Sequence, residues 1–237
     1  MEDNIGRELT VRFKVQSILD QKSFREFSVN YNTRNILSFT GYDEKIKKAK
    51  EACGEVESVI TGIGKISGFK SVIIALEPLF MMGSMGLITG EKVAKAFEYA
   101  TQKKLPVISF SASGGARMQE GIFSLMQMVK TAGAVSQHSQ KGLLYISIIC
   151  DPTLGGVTAS YASLGDIIIA ESGARYGFTG KKIIEQTTHE LLPDDFQTAE
   201  YALKHGMVDL VVKKEDLRDM IVKLIRLHKG GGALSKH

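Results

Sequence analysis

Hydrophobic positions along this chain alternate between two rhythms. Val107-Ile108-Ser109-Phe110-Ser111 is short, β-rich and introduced by Pro106, which predicts a strand ending at Ser113-Gly114-Gly115. Beyond it Ile122, Leu125, Met126, Val129 and Ala132 recur at helical spacing, with Ser124, Gln127, Lys130 and Thr131 elsewhere on the wheel. The same order then repeats. Leu143-Leu144-Tyr145-Ile146-Ser147-Ile148-Ile149-Cys150 is a nearly continuous apolar run, the pattern of a strand covered on both faces. Asp151-Pro152-Thr153-Leu154 breaks that run before Gly155-Gly156, and small, alternately polar residues 157–164 predict a closely packed helix.

The rest of the chain extends the pattern. A polar N-terminal arm occupies 1–35, and a helix follows over 42–53. A hairpin runs from Glu57 through turns at Gly62, Gly64 and Gly68 to Ile73-Ile74-Ala75-Leu76. Helices are expected over 88–102, 183–192 and 198–205, with strands over 166–170 and 208–212. Leu217, Met220, Ile221, Leu224 and Ile225 give the stripe of a last helix, and 230–237 form a flexible tail. One domain, 36–229, therefore reads as α/β, with parallel strands joined by helical crossovers.

Composition sets the outer limits. With 237 residues, 43% of them hydrophobic and 24% charged, the chain is long enough to bury one substantial core. No apolar run approaches the roughly 20 residues of a membrane span, and Met1-Glu2-Asp3-Asn4 is acidic where a secretory signal is basic, so a cytoplasmic, non-membrane protein is expected. Cys53 and Cys150 are far apart in sequence, which argues against a disulfide framework. The net charge of +4 favours anionic ligands without indicating nucleic acid. Lys213, Lys214, Arg218, Lys223, Arg226 and Lys229 read as the solvated face of the last helix.

Familiar nucleophile and metal patterns are missing. Gly62-Ile63-Gly64-Lys65 and Gly177-Phe178-Thr179-Gly180-Lys181-Lys182 lack full phosphate-loop spacing, and Gly83-Ser84-Met85-Gly86 is one residue short of a nucleophile elbow. Glu120 and Glu185 read as ordinary solvated or ion-paired helix residues, and His189 and His205 as helix-surface ones. What remains is a pair of Gly-Gly steps where strands hand over to helices. Such steps bring backbone amides close to a ligand, and the following helix adds a positive N-terminal field, which suits an oxyanion.

Several motifs then stand together in one order: Ser113-Gly114-Gly115-Ala116-Arg117-Met118-Gln119-Glu120, Ser124-Leu125-Met126-Gln127-Met128, Asp151-Pro152-Thr153 with Gly155-Gly156-Val157-Thr158-Ala159-Ser160, Leu164-Gly165-Asp166, and Ile184-Glu185-Gln186-Thr187. Phe80-Met81-Met82-Gly83-Ser84-Met85-Gly86 and Phe196-Gln197 extend the match across roughly residues 40 to 228. The chain resembles the β subunit of the multisubunit bacterial acetyl-CoA carboxylase carboxyltransferase. That resemblance implies a crotonase-like fold, a spiral of ββα units. It also implies transfer of a carboxyl group from carboxybiotin, borne on a biotin carboxyl carrier protein, to acetyl-CoA, giving malonyl-CoA for fatty-acid synthesis. A related α subunit is the expected partner and supplies the biotin side of the site.

By the same resemblance Gly155 and Gly156 give the oxyanion amides, and Gly114 and Gly115 shape the adjacent wall and contact the CoA thioester arm. Ala116, Gly83, Met85 and Gly86 join them as substrate-binding positions. Arg117 is assigned to a neighbouring carboxylate, to a CoA phosphate, or to a salt bridge with Glu120. Once carbon dioxide is released from carboxybiotin, the proton leaving acetyl-CoA goes to the freed ureido nitrogen, so no general base is required of this chain. Met81, Met82, Met85, Met126 and Met128 suit either core or a partner interface.

Three departures from the family pattern stand out. No Cys-x-x-Cys occurs, so no four-cysteine zinc ribbon is expected. Gly180-Lys181-Lys182 replaces Gly-Pro-Arg, keeping positive charge at Lys182 for a CoA phosphate or partner contact while losing the rigid Pro and the bidentate Arg. Ser172-Gly173-Ala174-Arg175-Tyr176 replaces a more apolar, Pro-containing stretch. Open alternatives are a paralogue using another acyl-CoA or acting as a decarboxylase in specialised metabolism, a hydratase or isomerase working alone, and a non-catalytic scaffold subunit.

Overall fold

The computed structural model describes residues 10–27 and 31–231. Its elements, in chain order, are α1 (Val11–Ile18), β1 (Arg25–Glu26), α2 (Tyr42–Cys53), β2 (Val59–Ile66), β3 (Phe69–Leu76), α3 (Leu87–Lys103), β4 (Val107–Ser113), α4 (Ile122–Ser139), β5 (Tyr145–Thr153), α5 (Gly155–Thr158), β6 (Ile167–Glu171), α6 (Lys181–Thr188), α7 (Ala199–Lys204), β7 (Leu210–Val212) and α8 (Leu217–Gly231). The strands form one sheet whose spatial order follows chain order from β1 to β7. Pairing is antiparallel from β1 to β3 and parallel from β3 to β7. Each crossover thus adds the next strand beside the last, as in the crotonase-like spiral.

Both faces of the sheet are covered, which is why its strands read as continuous apolar runs. Along β3, Val72, Ile74 and Leu76 point into one core with Val93 and Phe97 of α3 and Val135 of α4. Ile73 and Ala75 point into the other, with Val11, Val15 and Ile18 of α1 and Ile221 and Ile225 of α8. Each fully buried large aliphatic side chain contributes about 1.5–3 kcal/mol.

Several sequence expectations are revised. The expected arm contains α1, whose Val11, Val15 and Ile18 share one helical face and close the second core, and β1, which pairs with β2. Residues 1–9 and 28–30 of that arm, and 232–237 of the expected tail, lie outside the described residues. Gly62 and Gly64 sit inside β2 rather than in turns, and the hairpin turns at Ser67 and Gly68. A Cβ at Gly62 would lie 2.6 Å from the Arg25 carbonyl, so the glycine makes room for β1. β5 runs on through Asp151 and Pro152 to Thr153. The helix expected over 157–164 is only the short α5 and one 3₁₀ turn, because Ser160 has non-helical φ −132° and ψ −124°. Its hydroxyl instead donates to the Gly156 carbonyl at 2.6 Å.

The orientation of α4 differs most. Ser124, Gln127, Thr131, Ala134, Val135 and His138 are buried, whereas Ile122, Phe123, Leu125, Met126 and Val129 face outward. Three of the buried polar groups bond back along their own segment, while His138 bonds to Thr101 and Gln127 Oε1 keeps no partner among the described residues. Ser124 Oγ donates to Gly121 O, Gln127 Nε2 to Phe123 O and Thr131 Oγ1 to Gln127 O. Helix α3 then packs closely, with Gly90 against Gln127.

Candidate active site

Parallel pairing of β4 with β5 brings Ser113 opposite Thr153, so both Gly pairs emerge from adjacent strand ends. Leu154 N–H donates to Ser113 O at 2.8 Å and locks the two exits together. Gly115 has φ 114° and Gly155 φ 59°, both in the region where side chains are strained. A Cβ on Gly115 would stand 3.1 Å from Gly155 Cα and 3.2 Å from Gly156 N. The two pairs therefore meet backbone to backbone, at a distance only glycine permits.

Most amides of this junction are already engaged. Gly114 N–H donates to Met82 O at 2.8 Å, Gly155 N–H to Phe178 O at 2.9 Å, and Gly115 N–H to Ser113 Oγ at 3.0 Å. Gly155 is occupied because the turn around Phe178 folds against it. Gly156, in the first turn of α5, and Ala116 keep N–H groups without a carbonyl or side-chain partner among the described residues. They are neighbours: a Cβ at Gly156 would lie 3.5 Å from Ala116 N.

A cavity of about 560 Å³ opens beside this junction, lined by Lys45, Lys48, Met82, Gly114, Ala116 and Arg117 among others. Helix α2 forms one wall through Lys45, Lys48, Ala49 and Ala52, a face spaced i, i+3, i+4, i+7. Sequence reasoning missed these lysines, although that spacing was readable. Met85, Gly83 and Gly86 do not line the cavity. Met85 is fully buried and donates its N–H to Gly115 O at 2.8 Å; Gly83 packs on the Ala112 carbonyl and Gly86 on the Glu120 carboxylate. Their part is to brace the Gly114–Gly115 turn. Lys182 is exposed on α6, away from this cavity. On the Phe178 side, Tyr176, Ile184, Phe196, Tyr201 and Met207 line a second cavity of about 540 Å³.

Arg117 is held in the interior. Its Nη2 donates to Glu57 Oε1 at 2.5 Å, to Ser84 O at 2.7 Å and to Ser58 Oγ at 2.9 Å, while Nη1 reaches Glu57 Oε2 at 3.1 Å. Glu120 Oε1 is a weaker partner at 3.4 Å. With these donors used inside the fold, Arg117 is a structural ion pair, and Glu57 rather than Glu120 is its main partner. Burial raises the Glu57 carboxyl, but the Arg117 charge and hydrogen bonds from Arg117, Thr33 and Ser58 outweigh it and leave the group below the ordinary carboxylate range. Glu120 is also committed: Tyr42 donates to Oε1 at 2.6 Å and Leu87 N–H to Oε2 at 2.5 Å.

The outward face of α4 completes the picture. Ile122 is 61% exposed and Val129 68%, and Phe123, Leu125 and Met126 continue the same face, with Met118 beside it. Exposed apolar side chains grouped along one helix are the kind of surface that suits association. Of the methionines, Met85 is core, whereas Met82 and Met126 are exposed.

Residues 6–228 match the carboxyl transferase domain. A relative in Clostridium botulinum (strain Okra / Type B1), the acetyl-coenzyme A carboxylase carboxyl transferase subunit beta, is 51% identical over 219 residues, covering 92% of this chain and 76% of the relative. The subunit of that name in Ruminiclostridium cellulolyticum is 50% identical over 220 residues, covering 93% of this chain and 76% of the relative. Among solved structures, transcarboxylase 12S with hydrolysed methylmalonyl-coenzyme A bound superposes with a TM-score of 0.79 at 29% identity, covering 94% of this chain and 42% of that one. The Pseudomonas malonate decarboxylase MdcD–MdcE heterodimer, at 22% identity, shares the fold with a TM-score of 0.71 over 92% of this chain and 86% of that one. The chain belongs to the carboxyl transferase domain family and, within it, to the β subunits of acetyl-CoA carboxylase carboxyl transferase.

Proposed function

We propose that this chain provides the acyl-CoA half of a biotin-dependent carboxyltransferase, accepting acetyl-CoA and giving malonyl-CoA for fatty-acid synthesis in the cytoplasm. The observation that carries the reading is the adjacency of two unpaired amides, Gly156 N–H and Ala116 N–H, beside a cavity with two lysines. Removing a proton from the α-carbon of a thioester places negative charge on its oxygen. Fixed amides hold that charge without reorganising, and one such donor is worth about 3–4 kcal/mol of barrier.

The residues of this chain divide the work. Gly156 and Ala116 hold the enolate oxygen. Gly114 and Met82 flank the thioester arm, and Lys45 and Lys48 of α2 meet the CoA phosphates. Lys182 is left for a partner contact. Among the described residues no carboxylate is free to act as base at the junction, since Glu120 is bound by Tyr42 and Leu87 and Glu57 by Arg117. A carrier-borne carboxybiotin would supply CO2 by cleavage of its N–carboxylate bond; the freed ureido nitrogen would then take the α-proton, and the enolate carbon, held by Gly156 and Ala116, would bond to the CO2. An α subunit covers the apolar face of α4 and completes the site from the other side.

The test is reconstitution with the α subunit and the biotin carrier. Malonyl-CoA decarboxylation coupled to carboxybiotin formation, dependent on all three components, supports the reading. A complex that assembles but turns over no carboxyacyl-CoA refutes it.

A further inference from the structure

Helix α2, the lysine-bearing wall of the larger cavity, is attached lightly. Both ends are glycine in the left-handed region, Gly41 at φ 73° and Gly54 at φ 74°, and a Cβ at either would meet nothing within 4 Å. Neither glycine packs against the rest of the fold, and Gly54 N–H closes the helix on Lys50 O at 2.8 Å as an ordinary left-handed cap. The helix does not join either main core. Tyr42, Ile46 and Ala49 instead make a small separate cluster with Phe80, edged by Met81 and Cys53. Its exposed positions carry both signs of charge, Lys45, Lys47 and Lys48 beside Asp43, Glu44 and Glu51.

The Tyr42 hydroxyl ties this helix to the catalytic junction through two hydrogen bonds. Tyr42 Oη donates to Glu120 Oε1 at 2.6 Å, inside the protein. Glu120 is three residues after Arg117, and its own N–H bonds to the Arg117 carbonyl at 3.0 Å. Its other oxygen accepts Leu87 N–H at the start of α3, whose cap residue Gly86 offers no side chain. Arg117 in turn approaches the Tyr42 oxygen with Nη1 at 3.4 Å. The phenol thus meets the segment that leaves Gly114–Gly115, and burial keeps it protonated and able to donate.

We infer that α2 is a hinged wall of the acyl-CoA cavity and that Tyr42 is the positioning residue that latches it to the Gly114–Glu120 segment. This rests on the acyl-CoA reading of the cavity. With the latch closed, Lys45 and Lys48 stand at a fixed distance from the Gly156 and Ala116 amides, so phosphates and thioester are gripped together. With it open, the lysines move while the amides stay, because β4, β5 and the two main cores hold the latter. The chemistry is then untouched and only capture of the substrate suffers.

The test is Tyr42→Phe, which removes one oxygen and keeps the ring packed on Phe80, studied in the complex with α subunit and carrier. Losing the hydrogen bond donated to Glu120 and the longer one accepted from Arg117 predicts a rise of about fivefold in KM for acetyl-CoA, with kcat unchanged. Backbone hydrogen exchange should speed up in residues 42–53 and stay unchanged in α3 and β4. An unchanged KM with unchanged exchange in α2 overturns the latch. So does a parallel loss of kcat with exchange accelerated throughout, which marks a merely structural tyrosine. If the unaltered complex shows no acetyl-CoA binding by calorimetry, the acyl-CoA reading fails; exchange in α2 of Tyr42→Phe then still decides whether the hydrogen bond latches the helix.

Discussion

Arg117 Nη2 lies 2.5 Å from Glu57 Oε1, and neither side chain has exposed surface. This pair joins the turn that follows β4 to the residues that lead into β2. Breaking a buried pair leaves one charge stranded at a cost of about 3–5 kcal/mol, while replacing both members with apolar groups is often near neutral. Arg117→Met should therefore lower the unfolding free energy in urea by that amount. Arg117→Met combined with Glu57→Leu should recover most of it.

The same pair fixes a pH dependence. The Glu57 carboxyl is depressed in the folded state relative to its unfolded value of about 4.3. A depressed carboxyl gives stability that is complete above the unfolded value and is lost as pH falls through the folded one. Urea midpoints measured stepwise from neutral pH should fall as pH drops below about 4.3. The double variant should lack that component.

Lys45 and Lys48 line the cavity from α2, and the Lys48 ammonium lies 3.7 Å from Glu44 on the exposed side of the helix. Their contribution is mainly electrostatic, so it must weaken with salt. Replacing both with alanine should raise the dissociation constant for acetyl-CoA about tenfold at low ionic strength, read by calorimetry. The difference from the unaltered chain should shrink as salt is added.

Val129 stands on the outward apolar face of α4 and makes no contribution to the core. Surface substitutions of this type change stability by about 0.5 kcal/mol or less. Val129→Asp should leave the melting temperature of the isolated chain unchanged and weaken binding of the α subunit at least about tenfold, because a charge must be desolvated at the interface. Sedimentation velocity of the mixed subunits measures it.

Cys150 is 4% exposed in β5, and burial pushes its thiol up to about 11, only partly countered by Lys14 at 3.1 Å. The thiolate is the reactive form. Iodoacetamide at neutral pH should leave Cys150 unmodified in the native protein and label it after unfolding in urea, as peptide mass spectrometry will report.

What could be read from sequence follows from where each signal resides. The bounds of α2 and the strand before Gly114–Gly115 are local features, written in side-chain period and in punctuating glycines, and they match the structure. The family likeness was legible for the same reason, since its motifs are short and contiguous. The facing of α4 was not: Ile122, Leu125, Met126 and Val129 show that one side is apolar, but the pattern is identical whether a core or a partner covers it. The Arg117–Glu57 pair joins residues 60 positions apart, and no local pattern announces it. Nor does the Gly155 sequence reveal that its amide is taken by Phe178. That depends on a turn built more than twenty residues later.

The central claim is that the Gly156 amide holds the oxyanion. Proline at this position would remove the N–H but also place a Cβ 2.9 Å from Met128 Sδ and 3.5 Å from Ala116 N, so the donor is isolated instead by an ester in place of the Gly155–Gly156 amide, introduced with glycolic acid at position 156, in the reconstituted complex. The account predicts that kcat for malonyl-CoA decarboxylation falls about a hundredfold or more while acyl-CoA still binds and the subunits still assemble. A kcat that survives without that N–H, in a complex of normal composition, contradicts it.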